Sequence, residues 1–129
     1  MRGLLLAVLL IMSTSCVAKE PSANQCLAVA LFRECSGCSA RGQKAVEEVI
    51  VNRSQHDKKS ICAVVRSSAF PWSKQQRDWK PSKEALTILF SVRNMLPVVG
   101  KGVYYFNNEK MSYGKFAVKI EDHYFYYRT

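Results

Sequence analysis

The feature that most limits how this chain can fold is a change of pattern near Gly100. Before it, apolar residues recur at the three- and four-residue spacing of helices. Beyond it, aromatic and β-branched residues run together as they do in strands. Ser22 or Asn24 can cap a first helix to Arg33, with Leu27, Ala30, Leu31 and Glu34 at helical spacing and Gly37 as its stop. Ser39 can cap a second helix to about Arg53, its apolar stripe made of Ala45, Val46, Val49 and Ile50. Lys44, Glu47, Glu48 and Val51 fall off that stripe, so both glutamates are expected in solvent. After a polar turn at Gln55–Lys59, Ser60 opens a short third helix with Ile61, Val64 and Val65 inward. Residues 67–80 read as irregular. Pro81-Ser82 begins a fourth helix to about Met95, with Ala85, Leu86, Leu89, Val92 and Leu96 inward and Pro97 as its end. Val103–Phe106 and Phe116–Tyr127 predict two or three short strands, with Tyr113-Gly114 near a turn. Helices first and strands last predict an α+β fold with a short antiparallel sheet.

The first eighteen residues do not belong to that pattern. Arg2 precedes nine consecutive apolar residues, Leu4–Met12, and a small-residue exit from Ser13 to Ala18. That order predicts a signal peptide over 1–18, export to the periplasm or the exterior, and a domain over 19–129. Nine helical residues rise about 14 Å, against roughly 30 Å of hydrocarbon, so they do not span a bilayer. Cleavage after Ala18 and lipid anchoring at Cys16 are both compatible with the segment.

The 129 residues make one domain's worth of chain, and 48% apolar with 22% charged residues excludes a disordered or fibrous protein. Nineteen Lys and Arg against ten Asp and Glu leave +9, or about +8 once Arg2 is removed with the leader. Such an excess predicts a polyanionic partner, and by itself does not choose among nucleic acid, anionic lipid and anionic cell wall. The leader's removal also leaves four cysteines, Cys26, Cys35, Cys38 and Cys62, an even count that permits three disulfide pairings. Cys35-Ser36-Gly37-Cys38 has the spacing of a redox motif or of half a zinc site. It lacks a flanking βαβ pattern for the first and two further ligands for the second, since His56 and His123 stand alone. No metal or cofactor is therefore expected.

Glu34 is the most suggestive acid. It ends an apolar helical run and precedes a glycine-containing turn, where partial burial would desolvate its ionised form as general-acid catalysis requires. Glu109, Glu121 and Asp122 are candidates for a second acid, and nothing in the sequence places them near Glu34. Trp72, Trp79, Tyr104, Tyr105 and Phe106 can stack on sugar rings or bases, or fill a core.

The order of these residues resembles the SleB-type, spore-cortex-lytic-like cell wall hydrolases. Cys26-Leu27-Ala28-Val29-Ala30-Leu31-Phe32-Arg33-Glu34 is similar to that family's opening helix, which ends in Glu-Ala-Arg-Gly-Glu. The stretch Gly42–Arg53 resembles its Gly-Gln-x-Ala-Val-x-x-Val-x-x-Asn-Arg helix and is the most specific match. Ser60–Val65, Phe70-Pro71-Trp72, Val103–Asn107 and Ile120–Tyr126 resemble its later elements. The resemblance implies a small lysozyme-like domain and Glu34 as the catalytic acid for cutting the glycan strands of peptidoglycan. It also implies a Cys26–Cys62 disulfide. Trp72, Tyr104, Tyr105 and His123 become the substrate-binding candidates, peptidoglycan the partner, with no nucleic acid, and a monomer the expected state.

The sequence departs from the family in two places. Cys35-Ser36-Gly37-Cys38 replaces Ala-Arg-Gly-Glu after the acid, and Glu121 stands where the C-terminal signature has glycine. Three readings follow. The first is an exported muramidase or lytic transglycosylase; the second is a basic wall-binding protein without catalysis. The third is a secreted nuclease using Glu34 and His123 as its acid–base pair.

Overall fold

A computed structural model describes residues 19–129; the expected signal peptide over 1–18, with the candidate lipid-anchoring position Cys16, lies outside them. Four helices precede three strands: α1 Ala23–Cys35, α2 Ala40–Asp57, α3 Ile61–Val65, α4 Lys83–Arg93, β1 Val103–Asn107, β2 Lys115–Ile120 and β3 His123–Tyr127. The expected α+β order is what the chain adopts. Among the described residues no helix is long and apolar enough to cross a membrane.

Serine starts each of these four helices. The side chains of Ser22, Ser39, Ser60 and Ser82 each accept a first-turn N–H, from Gln25, Gly42, Ala63 and Ala85. At α1 the Gln25 side chain returns the bond to the Ser22 N–H, completing a capping box. The ends differ from expectation. α1 runs past Arg33 to Cys35 and stops at Ser36, and α2 continues to Asp57 before Lys58 turns left-handed at φ 53°. Segment 67–80 contains a 3-10 turn over Pro71–Gln75. α4 stops at Arg93, so Leu96 falls beyond the helix and is 85% exposed; Leu86 is only half-buried, and Ile88 is buried beside Leu89 instead.

α2 is the central element. Ala45, Val46, Val49 and Ile50 are fully buried against Leu31, Val65, Phe70, Leu89, Val92, Val103 and Phe125. Its polar side is buried as well, contrary to the reading of Glu47 and Glu48 as solvated. Burial is tolerated because Gln43, Lys44, Glu47 and Glu48 each find a partner. Lys44 Nζ pairs with Glu47 Oε1 at 2.6 Å, and Gln43 donates to the Cys35 carbonyl at the end of α1. The Glu48 carboxylate accepts the backbone N–H groups of Val98, Val99 and Gly100 at 2.8, 3.1 and 3.2 Å. One turn on, Asn52 Nδ2 donates to the carbonyls of Gly100 and Val103. The segment leading into β1 is therefore fastened to α2.

The sheet is antiparallel with order β1-β3-β2. The turn between β2 and β3 holds Glu121 at φ 52°, a left-handed conformation that costs a non-glycine residue about 1–2 kcal/mol. Its carboxylate offsets the cost by accepting from the N–H and hydroxyl of Ser39, tying the turn to the first residues of α2. Gly42 makes room for it: a Cβ there would lie 2.9 Å from Glu121 Oε1. Both departures from the family pattern thus meet at the start of α2. Two disulfides, Cys26–Cys62 and Cys35–Cys38, complete the frame, the first as the resemblance implies. Closing a loop of 36-residue separation is worth about 3–4 kcal/mol in the chain-entropy picture.

At the far end of α2, the Tyr104 hydroxyl donates to the Asp57 carboxylate, and His56 contacts the same carboxylate at 2.9 Å. The bonds from His56 and then Tyr104 hold the Asp57 pKa below the ordinary carboxylate value, whereas burial and Asp57 itself raise that of Tyr104.

Two outcomes follow from these clamps. Glu48→Ala strips three N–H groups of their acceptor and should cost about 2–3 kcal/mol in urea unfolding; an unchanged midpoint would contradict the clamp. For Asp57, the stabilisation is complete above the carboxylate's unfolded pKa and disappears as pH falls through its lower folded value. The stability difference between wild type and Asp57→Asn, measured from pH 6 downward, should hold to about pH 4 and then shrink. A difference that grows on acidification would contradict the assignment.

Candidate active site

α1 delivers Glu34 to the surface on its last turn. The residue is half-buried, and Oε1 accepts the Trp72 indole N–H at 2.8 Å. Trp72 is held in turn by its surroundings. Its ring meets fully buried Phe70 edge-on at 6.2 Å and leans on Trp79 at 6.1 Å. The Arg33 guanidinium lies 5.8 Å from the ring centre while donating twice to the Gln76 side chain. One carboxylate oxygen is thus fixed by a neutral donor.

Glu34 opens on a groove of about 600 Å3. Phe70 and Pro71 form its wall beside Glu34, and Arg53 enters from α2. β1 supplies Tyr105, Phe106 and Asn107, the following loop Asn108, Met111 and Tyr113, and β3 Tyr126 and Tyr127. The loop is held by the Tyr126 hydroxyl, which accepts the Met111 N–H at 2.7 Å. Aromatic faces, two amides, one acid and one cation make the groove amphipathic, as a sugar-binding cleft is. Among the lining side chains Glu34 is the one acid and Arg53 the one cation. A smaller hollow of about 370 Å3 gathers Lys19, Arg66, Arg77 and Lys80 around Trp79 with Glu20 and Asp78.

The sequence-derived candidates separate into three places. Glu34 and Tyr105 line the groove, and Trp72 reaches it through its bond to Glu34. Tyr104 is buried beneath, its hydroxyl occupied by Asp57 and its ring 5.0 Å from the Arg53 guanidinium; it is not a lining residue. His123 is buried edge-on to Phe106 at 5.4 Å and is not among the groove's lining residues. Its ring nitrogen and the sulfurs of Cys35 and Cys38 lie within 4.8 Å of one another, a proximity that no sequence spacing indicates. The two sulfurs are bonded to each other here. Glu34 and His123 are therefore not brought together in the groove, as the nuclease reading needs. Glu121 is committed to Ser39, and neither Glu109 nor Asp122 lines the groove.

Sequence reasoning passed over Arg53, Asn107, Asn108, Met111, Tyr126 and Tyr127. The signal for Arg53 was present, as the last residue of the Gly42–Arg53 stretch. That for Asn107 was its place two residues beyond Tyr105, on the same face of a strand.

A family model described as Cell Wall Hydrolase matches residues 37–126, which span α2 to β3 and begin just after Glu34. No curated protein and no solved structure gives a match. The matched span covers well over half of the 129 residues and carries the frame that forms most of the groove. The chain belongs to the SleB-related cell wall hydrolase family.

Proposed function

We propose that this chain is an exported enzyme that cleaves the glycan strands of peptidoglycan with Glu34 as general acid. The observation that carries the reading is a single side-chain carboxyl group, oriented by the Trp72 indole, at the end of an aromatic groove whose other lining side chains include no acid. Family membership supports peptidoglycan as substrate. Two disulfides and the leader-like first eighteen residues support export. The surplus of basic side chains would hold the protein on an anionic wall.

In this mechanism protonated Glu34 gives its proton to the glycosidic oxygen between N-acetylmuramic acid and N-acetylglucosamine. The C–O bond breaks, and the sugar left behind takes on oxocarbenium character. The cation is closed by its own 6-hydroxyl or by water, with the proton returned to the Glu34 carboxylate. Closure by the 6-hydroxyl needs no second carboxylate, which favours an anhydro-forming, transglycosylase-type outcome over hydrolysis. Tyr105 would stack on a sugar ring, while Trp72 keeps the carboxyl aimed. A second reading, a wall-binding protein without catalysis, draws on the Cys35–Cys38 disulfide that replaces the arginine and glutamate the family carries after the acid.

Glu34→Gln should fold normally, still sediment with purified sacculi, and release soluble muropeptides at least about 100-fold more slowly than wild type. Undiminished release would remove Glu34 from the chemistry, and absence of release by wild type would favour the binding protein. Mass spectrometry of the wild-type products should find 1,6-anhydro ends, lighter by one water than reducing ends. Trp72→Phe keeps the ring and deletes the donor, so kcat should fall about 10-fold with KM little changed. An effect confined to KM would make Trp72 a sugar contact only.

A further inference from the structure

The groove contains a cation as well as an acid, and the cleavage chemistry does not use it. Arg53 projects from the C-terminal half of α2, with its guanidinium 5.0 Å from the Tyr104 ring centre and 5.6 Å from that of Tyr105. Stacking of this kind occupies the face of a guanidinium and leaves its in-plane N–H donors free. Its Nε is buried without a hydrogen-bond partner, so a ligand in the groove would meet the terminal nitrogens of the fork.

The neighbouring acids do not supply a partner. Glu47 pairs with Lys44, Glu48 holds the 98–100 backbone, Asp57 is taken by His56 and Tyr104, and Glu34 faces Trp72. Among the described residues no carboxylate lies within ion-pair distance of Arg53. A stacked, forked cation without a side-chain counter-charge, beside the proposed acid in one groove, is placed to receive a planar anion from outside.

We propose that Arg53 is a substrate carboxylate receptor: it reads the acid group carried by the muramyl unit or its attached peptide. The proposal rests on the peptidoglycan reading above and adds to it a basis for choosing carboxylated wall glycan over neutral amino-sugar polymers. Arg53 selects and seats the strand, and Glu34 cuts it.

The test compares native sacculi with sacculi whose carboxylates have been converted to amides, with binding measured at physiological salt in the Glu34→Gln background so that nothing is cut. Amidation weakens any basic protein, so the informative quantity is the ratio of native to amidated affinity. That ratio should fall about 10-fold when Arg53→Gln is added, and stay unchanged when the exposed Lys83→Gln is added instead. Arg53→Lys keeps the charge and loses the fork; it should also lose most of the preference, and it carries the comparison where Arg53→Gln does not fold. A ratio that Arg53 substitutions leave untouched, or that Lys83→Gln lowers equally, overturns the proposal. Wild type that cleaves neither wall contradicts the enzyme reading, and the binding ratio still decides Arg53.

Discussion

A buried carboxylate that meets three consecutive backbone N–H groups holds the two halves of this molecule together. Glu48 grips the 98–100 segment, and Asn52 takes the carbonyls of Gly100 and Val103 one turn further along α2. These bonds set where β1 begins and how it lies against the helix. Because β1 carries Tyr105, Phe106 and Asn107, they also set the width of the groove that Glu34 faces. Shifting that segment would separate the strand wall from the α1 terminus, and the carboxyl group would lose its cleft.

Much of the frame was legible in the sequence, for local reasons. A serine precedes each helix, and each one caps as such a residue should. The apolar spacing of Ala45, Val46, Val49 and Ile50 marked the core face of α2, and the aromatic run after Gly100 marked the sheet. Glu47 and Glu48 misled because solvation is the default for two adjacent glutamates. Their partners, Lys44 and a loop far along the chain, become visible only in three dimensions. Leu96 misled because helical spacing was extended beyond a helix that stops at Arg93.

The site was legible as residues and not as an arrangement. Resemblance pointed to Glu34, which sits half-buried on the last turn of α1. Nothing local could tell that Tyr104 turns inward to Asp57 while Tyr105 faces the groove, since a bulge interrupts the β1–β3 register between Val103 and Tyr105. Nor could it reveal that His123 settles beside the Cys35–Cys38 disulfide. The two departures from the family pattern have a shared physical setting. The disulfide closes the chain between Glu34 and α2, and Glu121 fastens the hairpin turn to the α2 cap.

The groove is chemically simple: one acidic and one basic side chain, two amides and a set of aromatic rings. The most direct measurement is a crystal structure of Glu34→Gln with a short N-acetylglucosamine–N-acetylmuramic acid oligosaccharide. A glycosidic oxygen should lie within hydrogen-bond reach, about 3 Å, of the residue-34 side chain, with a sugar ring against Tyr105. An oligosaccharide bound elsewhere, leaving the groove empty and position 34 untouched, would contradict it.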